Sequence, residues 1–310
     1  MTKFQYFGLI FLYFVINLEA SSAFKCDFQV TEEFFYDYYT CIITAESYEI
    51  KEVHLPENSD DDVSMISITL QSLGMTEAEF PFCQRFPDLK KVYISGITSV
   101  DENLFQQCSN LIEVGITSAY LEELPEKLFA NNLGLKTLNI TKSMLKTLPE
   151  GIFASNINLF TLIFDGNEIV DLPTNIFKSL TSLDKLSLRN NKIKQLNPVW
   201  FKDLEKLDDL FLSNNKISEL PKNVFNNLRN LDTLRIDNNQ LVTIHSDSFG
   251  SNRTLTIMEF DNNKINAIDE KTFDKLQVVL LSTMKNICID DILIQDKTKL
   301  SRCFENYQPR

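Results

Sequence analysis

Six cysteines carry the most distinctive chemistry in this 310-residue chain. They lie toward its two ends, at Cys26, Cys41, Cys83, Cys108, Cys288 and Cys303. Disulfide formation and zinc binding both suit such a set. Zinc sites usually contain closely spaced cysteine pairs, but the chain has no Cys-x-x-Cys and only two histidines, His54 and His245. The sequence therefore favours disulfides, for which six cysteines allow fifteen pairings, and it predicts no metal site.

Signatures of catalysis and cofactor binding are sparse. The chain has no Gly-x-Ser-x-Gly turn, and none of its eight glycines has the spacing of a phosphate-binding loop. The acidic run Asp60–Asp62 is a candidate calcium ligand. A solvated loop is the alternative, because no alternating aspartates with a distal glutamate follow. The sequence predicts no enzymatic activity and no cofactor, since no acid–base pair lies in an evident cleft.

The remaining side chains are positioned by a repeat of 24 residues. Phenylalanine recurs at this interval at Phe105, Phe129, Phe153, Phe177, Phe201, Phe225, Phe249 and Phe273. Leucine opens successive units at the same interval, at Leu111, Leu135, Leu159, Leu183, Leu207, Leu231 and Leu255. A period of this size over most of a chain indicates a stack of similar structural units with one long face.

Each unit begins with the alternation of a short strand. Leu186 and Leu188 are expected to point into the core, and Lys185, Ser187 and Arg189 to point outward. An asparagine follows the strand at Asn167, Asn191, Asn215, Asn239 and Asn263. Its amide can bond the backbone of the buried turn. Because the returning segments are wider than strands, we expect a curved stack with a parallel sheet on its concave side.

Written as a string, the unit is LxxLxLxxNxIxxLPxxxFxxLxx, which resembles the extracellular 24-residue class of the leucine-rich repeat family. The resemblance covers roughly residues 63–277. It implies an α/β leucine-rich repeat solenoid, or horseshoe, with a parallel concave β-sheet, an irregular or short-helix convex side and disulfide caps. The early units depart from the pattern, since Ile97, Ala119 and Ser143 replace the asparagine. The C-terminal flank around Cys288 resembles that of small secreted insect leucine-rich repeat proteins.

Residues 1–23 are predicted to be a secretory signal peptide. Lys3 precedes an apolar run over residues 6–16, and small residues at 21–23 form a cleavage site. A membrane anchor is the alternative, but the run is shorter than the roughly 20 residues that span a bilayer. We therefore expect a secreted, extracellular protein without a membrane span. Its predicted parts are a signal peptide at 1–23, an N-terminal cysteine cap at 24–62, leucine-rich repeats at 63–277 and a C-terminal cysteine cap at 278–310.

The stacking of the units restricts how the cysteines pair. A solenoid keeps sequence-distant units apart in space, so pairs of neighbouring cysteines are favoured. The predicted disulfides are Cys26–Cys41, Cys83–Cys108 and Cys288–Cys303. Their position toward the ends is expected because a terminal unit has one apolar face without a neighbour and needs a cap.

The formal net charge of −13 bears on the partner. Removing residues 1–23 deletes Lys3 and Glu19, one charge of each sign, so the mature chain keeps the same value. Such a surface repels DNA, heparin-like polymers and anionic membranes. The sequence therefore favours an extracellular protein or another basic ligand over nucleic acid, and it leaves the oligomeric state open.

The outward positions of the strands form a candidate binding face. Ile163 and Phe211 place large apolar groups there, ringed by charged residues, and ordinary surface scatter of apolar residues is the alternative. The predicted protein-binding residues are Ile163, Asp165, Lys185, Arg189, Asp209, Phe211, Arg235, Asp237, Glu259 and Asp261.

Two glycosylation acceptors accompany this face. A sugar on Asn139, in Asn139-Ile-Thr141, would cover the N-terminal part of the concave face, and an unused acceptor is the alternative. The second acceptor is Asn252-Arg-Thr254. Asn252 stands where other units have leucine. Because burying an amide without partners costs about 1–3 kcal/mol, we expect this side chain to turn outward.

Three functions fit these features. The leading hypothesis is a secreted leucine-rich repeat module that binds an extracellular protein through its concave face. The resemblance to receptor ectodomains implies roles in innate immunity or cell-surface signalling. A structural or adhesive extracellular-matrix protein is one alternative, and a non-catalytic regulatory subunit of a secreted enzyme is the other.

Overall fold

A computed structural model describes most of the repeat array and parts of the segment before it. The described residues are 23–25, 27–33, 36–45, 52–54, 65–70, 83, 87–117, 120–245, 247–249, 252, 254–268 and 280–281. The predictions for residues 1–22, for the acidic run Asp60–Asp62 and for Cys26, Cys288 and Cys303 lie outside these residues. They stay predictions, as do the boundaries of the two caps.

The described residues form strands joined by turns. In chain order the strands are β1 Ala23–Lys25, β2 Asp27–Glu33, β3 Tyr36–Ala45, β4 Glu52–His54, β5 Met65–Leu70, β6 Lys91–Ser95, β7 Glu113–Thr117, β8 Thr137–Thr141, β9 Thr161–Ile163, β10 Lys185–Ser187, β11 Asp209–Phe211, β12 Thr233–Arg235, β13 Thr243–Ile244, β14 Ile257–Glu259, β15 Ala267–Ile268 and β16 Leu280–Leu281. A short 3-10 helix spans Pro198–Phe201 on the return path of one unit.

One sheet of twelve strands runs the length of the array, in the order β16-β14-β12-β11-β10-β9-β8-β7-β6-β5-β3-β2. Strands β2 and β3 pair antiparallel at one end, and the remaining neighbours in this sheet pair parallel. Strands β1 and β4, and strands β13 and β15, form two small parallel sheets. The predicted solenoid with a parallel sheet is confirmed.

The register of the sheet follows the sequence period. Leu186 lies opposite Leu162 on one side and Leu210 on the other, and all three side chains are fully buried. Leu188 is buried two residues further on, as the alternation predicts. Each unit therefore adds one strand and one layer of apolar side chains to a continuous core.

The asparagine ladder is confirmed, and Asn215 shows its geometry. The amide nitrogen of Asn215 donates to the carbonyls of Leu188, at 2.8 Å, and of Leu212, at 3.0 Å. Its Oδ1 accepts the backbone N–H of Ile193 at 3.0 Å. The same pattern recurs at Asn167, Asn191, Asn239 and Asn263. Each amide thus satisfies backbone groups of its own unit and of the unit before it.

Residues with a left-handed backbone conformation come immediately before the ladder positions. The residue before each ladder position has a positive φ at Gly96, Lys142, Gly166, Asn190, Asn214, Asn238 and Asn262. Glycine and asparagine tolerate this conformation better than other residues. In an Asn-Asn pair after a strand, the first asparagine therefore adopts the left-handed conformation that turns the chain. The second asparagine hydrogen-bonds the backbone of the turn. Among the described residues of this column, Lys142, at φ 52°, is the one without that tolerance.

Phenylalanine side chains fill the back of the core, as the repeat predicts. Phe105 and Phe129 stack with ring centroids 5.8 Å apart, and Phe225 and Phe249 stack at 5.9 Å. Trp200 is 1% exposed and meets Phe201 edge to face at 6.4 Å. These aromatic contacts link neighbouring units on the side opposite the sheet.

The expected outward orientation of Asn252 is wrong. Its side chain is 2% exposed, its amide donates to the carbonyl of Leu228 at 2.7 Å, and its Oδ1 accepts the N–H groups of Thr254 and Leu255, both at 3.0 Å. Asn252 finds partners in the preceding unit and in its own turn, so both ends of its buried amide are hydrogen-bonded. Asn132 and Asn156 occupy the same column, fully buried, and bond the preceding unit in the same way.

The predicted disulfide between Cys83 and Cys108 is present, with Cα atoms 5.0 Å apart. Both side chains are buried, at 5% and 2% exposure. Cys108 occupies the column that holds Asn132 and Asn156 in the next units. The bridge therefore ties the start of the regular array to the segment before it. The other two predicted disulfides each include a residue outside the described part of the chain.

Candidate functional site

The concave face is formed by the outward side chains of β6–β12 and β14. Its central column contains Ile163, Ser187, Phe211, Arg235 and Glu259, which follow one another in register across β9, β10, β11, β12 and β14. Lys185 and Asp209 form part of the column on one side. Asp165, Arg189, Asp237 and Asp261 follow the strands on the other side. All ten residues of the predicted set thus belong to one face of the sheet.

Phe211 is not exposed, contrary to expectation. The ring retains only 6% exposure although it lies outside the apolar core, on the solvent side of the sheet. Three cationic side chains cover it. The Arg189 guanidinium carbon lies 3.9 Å from the ring centroid, the Lys185 ammonium 4.9 Å, and the Arg235 guanidinium carbon 5.5 Å. Cations over an aromatic face are attracted by the ring quadrupole, so Phe211 organises the charges around it.

These cations differ in how they are paired. Lys185 lies 3.5 Å from an Asp209 carboxylate oxygen, and Arg235 lies 3.3 Å from one of Glu259. Among the described residues, the structure gives the Arg189 guanidinium no carboxylate partner, only the Phe211 ring. Arg189 is half-buried and its rotamer is held by the stack. Its N–H donors are therefore positioned and available to a ligand.

Two aspartates brace the backbone beside this cluster. Asp165 accepts the Ser187 hydroxyl at 2.6 Å and the Arg189 backbone N–H at 2.9 Å. Asp237 accepts the Ser213 hydroxyl one unit away. Both carboxylates are thus engaged with the array itself, and the bond to Asp165 fixes the backbone that carries Arg189. The cluster is a preorganised surface rather than a loose set of charges.

A second feature of the concave face is a cleft in its N-terminal part. The cleft has a volume of about 430 Å³ and lies between Tyr93, Gly115, Asn139 and Ile163. Gly115 lets the Tyr93 ring lie close against the sheet in the wall of the cleft, because a Cβ there would lie 2.5 Å from that ring. Ile163 therefore lines the cleft, and the buried Ser187 separates it from Phe211. Ile163 and Phe211, which the sequence suggested as one apolar patch, therefore belong to two separate features. The glycine in the central column was the sequence signal for the cleft.

The two glycosylation acceptors differ in setting. Asn139 is half-buried in the wall of the cleft, so a sugar there would fill the cleft. Asn252 is buried, and a sugar on it would break its bond to the carbonyl of Leu228. Glycosylation at both positions stays a prediction, and the geometry favours Asn139.

Comparisons with known proteins agree with this geometry. A leucine-rich repeat family model matches residues 157–217, 181–241 and 229–282. A model of the BspA-type leucine-rich repeat region, with six copies, matches residues 46–160. The chain belongs to the leucine-rich repeat family. No curated protein is significantly similar to it in sequence.

Several solved leucine-rich repeat structures share the fold. A TLR13–ssRNA13 complex has a TM-score of 0.59 and 23% identity over 66% of this chain and 29% of that one. The Drosophila Toll–Spatzle complex has a TM-score of 0.56 and 19% identity, covering 78% and 42%. The LRIM1/APL1C complex has a TM-score of 0.55 and 17% identity, covering 84% and 55%. This chain thus spans roughly a third to a half of these longer proteins, and the likeness is one of fold.

Within the described residues, no helix has the length and apolar character needed to cross a bilayer. In the same residues, no three His, Cys, Asp or Glu side chains are grouped so that they could hold a metal ion.

Proposed function

We propose that this leucine-rich repeat protein is a secreted recognition module that binds an extracellular protein ligand through its concave face. The observation that carries the proposal is the Arg189 guanidinium stacked on Phe211 with its donors available. Arginine and aromatic side chains at the centre of a patch supply much of the binding energy in protein interfaces. The similar Toll structure is a complex with Spatzle, a protein ligand in innate immunity and development, which supports a role of this kind.

The charges around Arg189 define the ligand's chemistry. A carboxylate from the ligand can accept two N–H bonds from the planar guanidinium. Asp165 accepts the backbone N–H of Arg189, Asp209 pairs with the neighbouring Lys185, and the whole chain carries −13. A complementary ligand therefore places one acidic side chain on Arg189 within a surface that is otherwise basic.

Nucleic acid is the competing ligand class. One similar structure is a complex with single-stranded RNA, so this fold does not exclude an RNA ligand. The negative net charge predicts that nucleic acid is disfavoured, and that comparison does not support the prediction. The acidic residues around Arg189 favour protein, because each would repel a phosphate. We also propose that the chain acts by binding and not by catalysis.

Substitution of Arg189 by alanine tests the proposal with little effect on the fold. Wild type, Arg189→Ala and the control Lys178→Ala, a cation on the opposite side next to Phe177, are immobilised at equal density. Each is exposed to extracellular fluid of the source organism, and bound proteins are quantified by mass spectrometry. We expect one or more proteins on wild type and control that fall at least tenfold on Arg189→Ala. Equal capture on all three would refute the proposal.

RNA binding is measured in parallel. A short single-stranded RNA titrated against wild type should show no saturable binding at 150 mM salt. Saturable RNA binding that is lost in Arg189→Ala would show that the ligand is RNA and not protein.

Secretion is tested by expressing the full chain in insect cells. The protein should appear in the medium with an N-terminus close to residue 24, whereas retention in the cell membrane would contradict secretion.

A further inference from the structure

A second surface lies where the chain enters the strands, along one side of the sheet. Its backbone is a column joined by hydrogen bonds of 2.8–2.9 Å between successive units. The column contains Ile112, Lys136, Phe160, Asp184, Asp208, Asp232 and Thr256. We name this column, together with Leu133 and Ile157 beside it, the lateral edge. It is separate from the cluster around Arg189 because its side chains precede the strands.

The N-terminal part of the lateral edge carries three exposed apolar side chains beside Lys136. Leu133, Ile157 and Phe160 are exposed by 59%, 54% and 50%. The loops that carry them are stacked, since the Asn158 amide donates to the Leu133 carbonyl at 2.9 Å and the Asn156 amide to the Asn132 carbonyl at 3.0 Å. The equivalent positions of Leu133 in later units are Thr181, Glu205 and Arg229. Leu133, Ile157 and Phe160 therefore concentrate the exposed apolar groups of this edge in three successive units.

The C-terminal part of the lateral edge is acidic. Asp184, Asp208 and Asp232 follow one another at successive units, about 4.8 Å apart. Burial and the nearby Asp209 raise the pKa of Asp184, and Lys185 offsets this only in part. Burial, and then Asp232, raises the pKa of Asp208. The carboxylates thus repel one another in the free protein, and a cationic partner would relieve that repulsion.

Charged residues where the chain leaves the strands are arranged differently. Lys146 contacts Glu122 at 3.0 Å, and Lys192 contacts Glu168 at 2.8 Å. The hydrogen bond to Glu122 raises the pKa of Lys146, and the hydrogen bond to Lys192 lowers the pKa of Glu168. Charges there are neutralised between units of the array itself. The row of like charges on the lateral edge is a local departure from that arrangement.

We propose that the lateral edge binds a basic amphipathic segment of a second protein, distinct from the ligand of the concave face. The apolar groups of the segment cover Leu133, Ile157 and Phe160, and its lysines or arginines lie along Asp184, Asp208 and Asp232. From Leu133 to Asp232 the edge spans four steps between units, roughly 19 Å. A helix of about 13 residues covers that distance at 1.5 Å per residue, and its i, i+4 rows can present basic side chains at a similar spacing.

A second copy of this chain fits the lateral edge poorly. Each copy carries a net charge of −13, and pairing two edges would bring six aspartates together. Such like-charge contacts are unfavourable. The charge of the edge therefore selects a basic partner.

A display experiment tests the proposal with a defined probe. A phage library of random 16-residue peptides is selected on the full mature chain, and enriched peptides are synthesised and titrated by fluorescence anisotropy. The variants are Phe160→Ser, the double variant Asp184→Asn/Asp208→Asn, and Arg189→Ala as the concave-face control. We expect enriched peptides with an apolar cluster followed by three or more lysines or arginines. Their affinity should fall at least tenfold in both edge variants and stay within twofold in Arg189→Ala.

Several results would overturn the proposal. Enrichment of acidic or uncharged peptides, no enrichment, or equal binding to all variants would each do so. Self-association of wild type in sedimentation that is lost in Phe160→Ser would show that a second copy occupies the edge. Peptides that lose binding only in Arg189→Ala would support the concave-face site and contradict the lateral edge, so failures of the two proposals are distinguishable.

Discussion

Replacing Asn215 by alanine tests whether the asparagine ladder holds the array together. The substitution removes two donated bonds, a longer contact of 3.5 Å to the Ser213 carbonyl, and one accepted bond from a side chain that is 7% exposed. The carbonyls of Leu188 and Leu212 each keep a second donor, from Asn191 and Asn239. Only the N–H of Ile193 is left without its partner, and that N–H is the main source of the expected loss.

The magnitude follows from this inventory. Leaving a buried N–H unsatisfied costs about 1–3 kcal/mol, and each bond lost from a carbonyl that keeps another donor costs roughly 0.5–1.5 kcal/mol. The sum is about 2–6 kcal/mol. For a chain of this size, with an unfolding entropy of about 2.1 cal/mol/K per residue, that corresponds to a fall in Tm of roughly 3–9 °C.

Thermal unfolding followed by circular dichroism measures the effect. The matched control is Lys216→Ala, an exposed residue next to Asn215. The converse variant is Ser143→Asn, which places an amide at the ladder position where a buried serine stands and should raise the Tm by a few degrees. A Tm of Asn215→Ala within 2 °C of the Lys216→Ala control would refute the assigned role of the ladder.

Three further predictions concern stability. Lys142→Asn should raise stability by about 1 kcal/mol in chemical unfolding, since asparagine tolerates φ 52° better, and Lys142→Val should lower it. Asp184→Asn and Asp208→Asn should each raise the Tm at pH 7. The pKa values of both carboxyl groups are raised in the folded state, so the folded protein takes up these protons at a higher pH than the unfolded chain does. The gain in Tm should therefore shrink as the pH falls through the folded pKa values. It should vanish below a pH of about 4, where both states are protonated. Replacing Cys83 and Cys108 by serine should cost roughly 3 kcal/mol in urea unfolding, and this difference from wild type should disappear when both proteins are reduced.

The sequence was sufficient to predict the fold because each unit repeats the same local rule. The sequence itself shows the leucine columns, the ladder at Asn215 and its equivalents, and the phenylalanine column at Phe105 and its equivalents. The Cys83–Cys108 disulfide was predictable for the same reason, since pairing between adjacent units is the only short-range option in a stack.

The errors arose where a side chain's partners belong to another unit. The burial of Asn252 depends on the Leu228 carbonyl, 24 residues earlier, and the repeated asparagines at 132 and 156 were the signal that this column accepts amides. Phe211 was expected to be exposed because its own strand points it outward. Its cover comes from Lys185, Arg189 and Arg235 in the adjacent units. The concave-face binding role of these residues is untested and stays a proposal.

The constant register of the array also makes its length adjustable. Ion pairs such as Lys185–Asp209 and Arg229–Glu205 join residues 24 positions apart, and so do the backbone bonds that join successive residues of the lateral edge. Deleting or duplicating one whole unit within the regular segment would leave the buried side chains packed against equivalent neighbours. Only the set of side chains on the surface would change. Recombination at unit boundaries can therefore generate new ligand specificities while the hydrophobic interior is preserved.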